Sequence, residues 1–232
     1  MNTSPVQNEV LLKRLQSLDI LRGVEPEMLA AIAERSTWKV YQPDAVVFWE
    51  GAVEANLYYL QYGWLKVIKY GVDGREQILR FLGPGEIFNE VGVFARRPSP
   101  ATAMTLEEAG IWLIPRAGLE QIVASYPQVA LRLLENMAER FISLVDLTAD
   151  LSLRTVEARL AKLLLEQAEG DAIPRRRWTT QNELAARLGT VPDVLSRALR
   201  ELTRAGLIET DRQQIRILDR PGLAKRGMLQ NS

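Results

Sequence analysis

The chain has 232 residues, 47% hydrophobic and 25% charged, which allows one large or two modest domains that each bury a core. Cysteine and histidine are both absent, which excludes disulfides, iron–sulfur clusters on thiolates, haem ligated by His or Cys and the usual zinc sites, and removes the usual general base and the most reactive nucleophile. The formal net charge of zero hides an asymmetry: residues 1–151 hold 14 Lys and Arg against 19 Asp and Glu, whereas residues 152–232 hold 15 against 10, so the C-terminal third is basic and suits a polyanion.

From the N-terminus, MNTSPVQNEV lacks the basic-then-apolar layout of a secretory signal, and no run of about 18 apolar residues follows, so a cytoplasmic protein without a membrane span is expected. Leu11, Leu12, Leu15 and Leu18 share one side of a short amphipathic helix over 9–21, and a second helix is expected over 25–35. From Thr37 the period changes. Val40, Val46-Val47-Phe48, Leu57 to Leu60, Leu65 to Ile68, Gln77 to Phe81 and Ile111 to Ile114 are short apolar or alternating runs, separated by glycines from Gly51 to Gly110. Many short strands with glycine turns predict an antiparallel sandwich or barrel. Pro115 to Ser125 reads as a brief helix, and Pro127 opens a long one. Along it Ala130, Leu134, Met137, Phe141, Leu144, Thr148 and Leu151 recur at alternating spacings of four and three, a coiled-coil seam of three heptads with Thr148 as its one polar position. A core helix lying on its own barrel is the plainer alternative. The length and strictness of the spacing favour a seam, and the natural partner is the same helix of a second chain in a two-fold dimer.

A further helix is expected from Ser152, with Val156, Leu160, Leu163 and Leu164 on its apolar face. After a loop over 169–174, the basic run Arg175-Arg176-Arg177 leads into two short helices. Thr180 with Glu183 forms a capping box, and Gly189 breaks the first helix. Thr190 with Asp193 repeats the capping spacing, and Pro192 sits in the first turn of the second helix. Val194, Leu195, Ala198, Leu199 and Leu202 follow at helical spacing. A short helix, a glycine turn and a longer helix make a helix-turn-helix, in which the start of the second helix reaches base edges in the major groove. Here those residues are Asp193, Ser196 and Arg197, opposite the leucines. An ordinary helical hairpin with a solvated charged face is the alternative. Beyond Ala205-Gly206, Leu207-Ile208 and Ile215 to Leu218 read as strands around a polar turn, and a helix-turn-helix followed by a β-hairpin is a winged helix.

This order resembles the cyclic-AMP-receptor and fumarate-nitrate regulator (Crp/Fnr) family of bacterial transcription factors. Three stretches carry the resemblance: PGEIFNEVGVFARRPSPATA at 84–103, the helix after Pro127, and ELAARLGTVPDVLSRALRELTRAGLIE at 183–209. It implies an α+β fold: an antiparallel β-roll of the cupin-like cyclic-nucleotide-binding type with flanking helices over 1–125, a long dimerisation helix over 126–151, and a winged helix-turn-helix over 152–232. It further implies a homodimer that binds a palindromic operator in double-stranded DNA and contacts RNA polymerase. One form of the family's recognition helix carries Glu, then Ser-Arg three and four residues on. Asp193, Ser196 and Arg197 are similar to it with Asp for Glu, which implies TTGA-like half-sites about 34 Å apart. The chemistry fits, since a carboxylate accepts from cytosine N4 and arginine donates bidentately to guanine. Arg200 and Arg204 continue the exposed side, and Thr180, Gln181 and Thr190 stand at helix starts, where phosphate contacts set register.

The sensory pocket is expected around Glu86, Asn89, Glu90, Ser99, Thr102, Arg140 and Leu144. In relatives that bind cyclic AMP, an Arg-Ser pair holds the cyclic phosphate; here Ser99-Pro100 stands in its place, with Arg96 and Arg97 two or three residues earlier as the available substitutes on a path stiffened by Pro98 and Pro100. Leu144-Val145 replaces the Thr-Ser that such members set against adenine, so the resemblance argues against cyclic AMP. Arg140 is either an anion contact or a partner for Glu135 or Glu139 of a second chain. Three controls remain open: an unidentified small molecule, a protein partner, or abundance alone. No cofactor is identified. A sensory module that binds protein rather than DNA is the alternative function, and the lack of a base, a nucleophile, a Walker loop or a metal cluster argues against an enzyme.

Overall fold

A computed structural model describes residues 5–53, 56–174, 180–211 and 214–227. The basic run Arg175-Arg176-Arg177 lies outside the described residues. The chain opens with helix α1 (Pro5–Ser17), a single 3₁₀ turn (Asp19–Leu21) and helix α2 (Pro26–Arg35). Strands β1 (Thr37–Tyr41), β2 (Val46–Phe48), β3 (Asn56–Tyr62), β4 (Leu65–Tyr70), β5 (Glu76–Leu82) and β6 (Ile87–Phe88) follow, then a short helix α3 (Glu90–Phe94) and strands β7 (Thr102–Thr105) and β8 (Ala109–Pro115). Helices α4 (Arg116–Ser125), α5 (Pro127–Leu153) and α6 (Val156–Gln167) come next. The C-terminal part comprises β9 (Ala172–Pro174), α7 (Gln181–Arg187), α8 (Pro192–Arg204), β10 (Ile208–Thr210), β11 (Gln214–Ile217) and α9 (Arg220–Gly227). No described helix is long and apolar enough to cross a membrane. Contacts divide the chain into two units: Met1–Lys69 with Arg80–Ile142, and Tyr70–Leu79 with Ser143–Ser232.

The β-roll consists of two four-stranded sheets, ordered β1-β8-β3-β6 and β2-β7-β4-β5. Their facing sides bury Phe48, Tyr58, Leu60, Leu65, Phe88, Ile111 and Leu113. Phe48, Tyr58 and Phe88 form an aromatic trio with ring centroids 5.1–6.1 Å apart. The outer face of the first sheet packs Leu57, Tyr59, Trp112 and Ile114 against α1, α2, α4 and the first turns of α5. Strands β3 and β8 are therefore covered on both sides, which is why LYYL and IWLI read as unbroken apolar runs rather than alternations. The first predicted helix is in fact two pieces, because the chain leaves the helix at Ser17 and Leu18 enters the 3₁₀ turn in an extended conformation.

Helix α5 puts only Val129 and Leu133 into its own core. Leu134 is 62% exposed and Phe141 68%, and Leu131, Met137, Ile142, Leu144 and Val145 are exposed too. The seam residue Leu151 departs from this pattern: a Cβ at Gly189 would lie 2.5 Å from its Cδ2, so the helix-turn-helix already covers it. The next helix does not begin at Ser152. Arg154 N still bonds the Asp150 carbonyl, which prolongs α5, and Thr155 then caps α6 by accepting from Ala158 N at 3.2 Å.

In the C-terminal part, Leu160, Leu163 and Leu164 of α6 form one core with Leu188 at the C-cap of α7, Leu195, Leu199 and Leu202 of α8, Ile208, Ile215 and Ile217 of the hairpin, and Leu223 of α9. The wing is a three-stranded antiparallel sheet, ordered β10-β11-β9. Sequence periodicity missed β9, which is three residues long, and α9, although Asp219 accepting from Gly222 N at 2.9 Å is a legible cap.

Candidate nucleic-acid interface and sensory pocket

The helix-turn-helix is set by three local devices. Thr180 Oγ1 accepts from Glu183 N at 3.2 Å and starts α7. Gly189, at φ +62°, turns the chain after Leu188 in a conformation that costs a side-chain-bearing residue about 1–2 kcal/mol. Pro192 then opens α8. Thr190 is not its cap, against the sequence expectation. The N-cap is Val191, extended at φ −112°, ψ 156°, with no side-chain bond, because a residue before proline is kept out of the helical region. Thr190 instead closes the turn through its N–H to the Ala185 carbonyl at 2.9 Å.

Helix α8 divides sharply. Leu195, Ala198, Leu199 and Leu202 are buried, while Asp193, Arg197 and Arg200 are exposed and Ser196 is half-buried. Ser196 Oγ donates to Gln181 Oε1 at 3.3 Å, joining the two helices on their polar side. Thr180 and Gln181 are exposed at the start of α7. Arg204 pairs with Glu201 along its own helix at 2.8 Å. On the wing, Glu209 and Arg216 face each other across β10 and β11, and the Glu209 hydrogen bond pushes the Arg216 pKa up. The arrangement presents one carboxylate, one hydroxyl and two guanidinium groups on one ridge, the donors and acceptors needed to read base edges.

The expected sensory residues other than Leu144 fall into four hydrogen-bonded groups. Asn89 takes a left-handed conformation at the start of α3, donates to the Asn56 carbonyl at 3.0 Å and accepts from Ser99 Oγ at 3.2 Å. Thr102, fully buried, accepts from Glu50 N at 3.0 Å. Glu90, also buried, forms an ion pair with Arg140, whose Nη2 donates to the Ile87 carbonyl at 2.7 Å. Arg140 thus finds its carboxylate within its own chain, one turn of α5 before the exposed Leu144. Glu86 bonds Gly83 N at 2.6 Å and Arg80 Nη2 at 2.5 Å.

Arg80 was missing from the sequence reading. Burial pushes its pKa down, Arg140 adds to that, and Glu86 and Glu90 oppose it, so these four charges form one cluster. The signal was present: Ile78 and Leu82, two residues either side on β5, are fully buried, so strand alternation puts Arg80 on the inward face.

Comparison with known proteins bears on both sites. Residues 38–126 match the model of the cyclic nucleotide-binding domain, and residues 158–226 match the Crp-like helix-turn-helix domain. The chain is 30% identical over 213 residues to the CRP-like cAMP-activated global transcriptional regulator of Mycobacterium tuberculosis, covering 89% of this chain and 95% of that protein. It is 27% identical over 193 residues to the cyclic AMP receptor protein of Thermus thermophilus, covering 82% and 87%. Among solved structures, FixK2 from Bradyrhizobium japonicum matches with a TM-score of 0.73 at 24% identity, over 83% of this chain and 98% of that one, a likeness of fold.

Proposed function

The chain belongs to the Crp/Fnr family of transcription regulators, and from that premise we propose that it acts as a homodimer on a palindromic operator with TTGA-like half-sites. Residues 1–125 serve as the sensory part, 126–151 as the dimerisation helix and 152–232 as the DNA-binding part. The observation that carries this reading is α8, whose leucine face is buried and whose opposite ridge offers Asp193, Ser196, Arg197 and Arg200. In this reading Arg197 donates to guanine, Asp193 accepts from cytosine, and Thr180, Gln181, Thr190 and Arg200 set register on phosphates. Ser196 is held in place by Gln181. The exposed stripe from Leu134 to Val145 on α5 supports the dimer, since apolar side chains at seam spacing are stabilised by a matching helix. RNA polymerase is the further partner.

The effector is a small molecule other than cyclic AMP. The mycobacterial and Thermus relatives bear names that refer to cyclic AMP; three features of this chain argue against carrying that property over. Ser99 replaces the phosphate-binding arginine and is already bonded to Asn89. Glu90 is tied to Arg140. Arg80 and Glu86 are paired with each other. Titration with cyclic AMP is expected to give no heat and no change in operator affinity; micromolar binding that tightens the operator complex would contradict this. The DNA reading is tested by selection from random duplexes with the full chain. The expected product is a two-fold related motif with a G·C pair in each half-site. An asymmetric motif, or half-sites without G·C, would overturn it.

A further inference from the structure

A cavity of ≈40 Å³ lies within the C-terminal unit, where the end of α5, the middle of α6 and the end of α7 meet. Its apolar wall is Leu147, Leu151, Leu163 and Leu188, and its polar wall is Asp150, Arg159, Lys162, Glu166 and Arg187. A water molecule needs about 10–15 Å³ by this measure, so the space accommodates roughly three waters or one tetrahedral oxyanion.

The charges around it do not balance. Asp150 spends one oxygen on Arg154 Nε at 2.6 Å and the other on Lys162 Nζ at 2.5 Å. Glu166 stands 3.8 Å from Lys162. Arg187 donates through Nη1 to the Leu79 carbonyl at 2.6 Å. Arg159 makes no ion pair within 4 Å among the described residues: Nη1 donates to the Leu151 carbonyl at 3.1 Å, and its buried Nε has no hydrogen-bond partner. Burial pushes the Arg159 pKa down, and Asp150 offsets this only in part. Arg159 is thus a partly buried guanidinium without an ion pair, and it lines a polar space. Arg154, Arg159 and Lys162 share the two carboxylates Asp150 and Glu166.

We propose that this cavity is a binding site for a small tetrahedral oxyanion, a phosphate or the phosphate end of a phosphomonoester, held by Arg159 and Lys162 with Arg187 on the third side. The anion completes the counter-charge that Asp150 and Glu166 leave short. Because its ligands come from α6 and α7 and its floor from α5, it braces the helix-turn-helix against the helix that carries it. The site is independent of the sensory pocket and of the choice of operator.

The test uses the full chain in phosphate-free buffer and titrates inorganic phosphate against chloride of matched ionic strength. One phosphate per chain is expected by calorimetry, with a Tm rise on the order of 3–6 °C at a tenfold excess over Kd. Arg159→Gln and Lys162→Gln, each shown to be folded by circular dichroism, should lose that increment whatever their own Tm. Glycerol 3-phosphate in a second arm separates the two sources: tighter binding than inorganic phosphate assigns the site to a phosphomonoester, and weaker binding assigns it to the free ion. A response equal to chloride, or an increment that survives in both variants, overturns the proposal and leaves the cluster as a brace for the helix ends.

Discussion

Arg197 is exposed on α8, with the buried Ala198 beside it and Arg200 one turn further along. A base contact and a phosphate contact by such a residue differ in what their loss does. Arg197→Ala is expected to weaken operator binding by about 1–3 kcal/mol and to relax preference at one base pair per half-site, read by competition with single-substituted duplexes. A loss equal across all duplexes would make Arg197 a phosphate contact. In the sensory part, Glu90 is 5% exposed and its partner Arg140 remains partly solvated. Glu90→Gln leaves the guanidinium without its counter-charge and should destabilise the folded chain by about 2 kcal/mol, below the ~3–5 kcal/mol of a fully dry pair, measured by denaturant unfolding. Single residues were legible where local chemistry fixes them and obscure where a distant partner does. Thr180 was read correctly from its spacing to Glu183. Thr190 was misread, because the same spacing loses to the constraint that Pro192 puts on Val191. The inward place of Arg80 follows from strand alternation, but its tie to Glu86, Glu90 and Arg140 needed the fold, since no spacing in the sequence links β5 to α5.

At the scale of elements, the turn between α7 and α8 depends on Gly189. Its φ of +62° disfavours any side chain, and a Cβ there would meet Leu151 Cδ2 at 2.5 Å and Gln77 Oε1 at 2.8 Å. Gly189→Ala should therefore cost about 1–3 kcal/mol of stability in the C-terminal unit and lower operator affinity with it; an unchanged Tm would mean the turn rearranges freely. The start of α6 depends on Thr155, whose hydroxyl accepts from Ala158 N. Thr155→Ala should cost about 1 kcal/mol, seen as a Tm shift of a few degrees. Most helices of two turns or more were legible: α2, α4, α5, α7 and α8 all lie where they were expected, though α5 runs on to Leu153. Short ones were not. The two residues of β6 and the five of α3 carry no period, and α3 starts from a left-handed Asn89 that sequence does not announce. The break at Thr155 was placed three residues early because the apolar positions continue across it while the capping hydroxyl, not the periodicity, decides where α6 begins.

For the whole molecule, the basic C-terminal third and the exposed stripe of α5 lead to the same arrangement. If the ridge of α8 lies on duplex DNA, log affinity should fall linearly with log salt, with a slope near −0.9 for each phosphate neutralised. A flat salt response would point to a protein partner for the winged helix. If α5 pairs with its copy, Phe141→Asp places a charge in the middle of the seam, and the dimer should dissociate while each chain stays folded. The most direct measurement joins the two: native mass spectrometry of the full chain with a duplex recovered by selection, with and without Phe141→Asp. Two chains per duplex are predicted for the unaltered protein, and for Phe141→Asp a free monomer that no longer binds. A single chain held on the duplex, or a Phe141→Asp protein that binds as tightly as the original, would contradict the account.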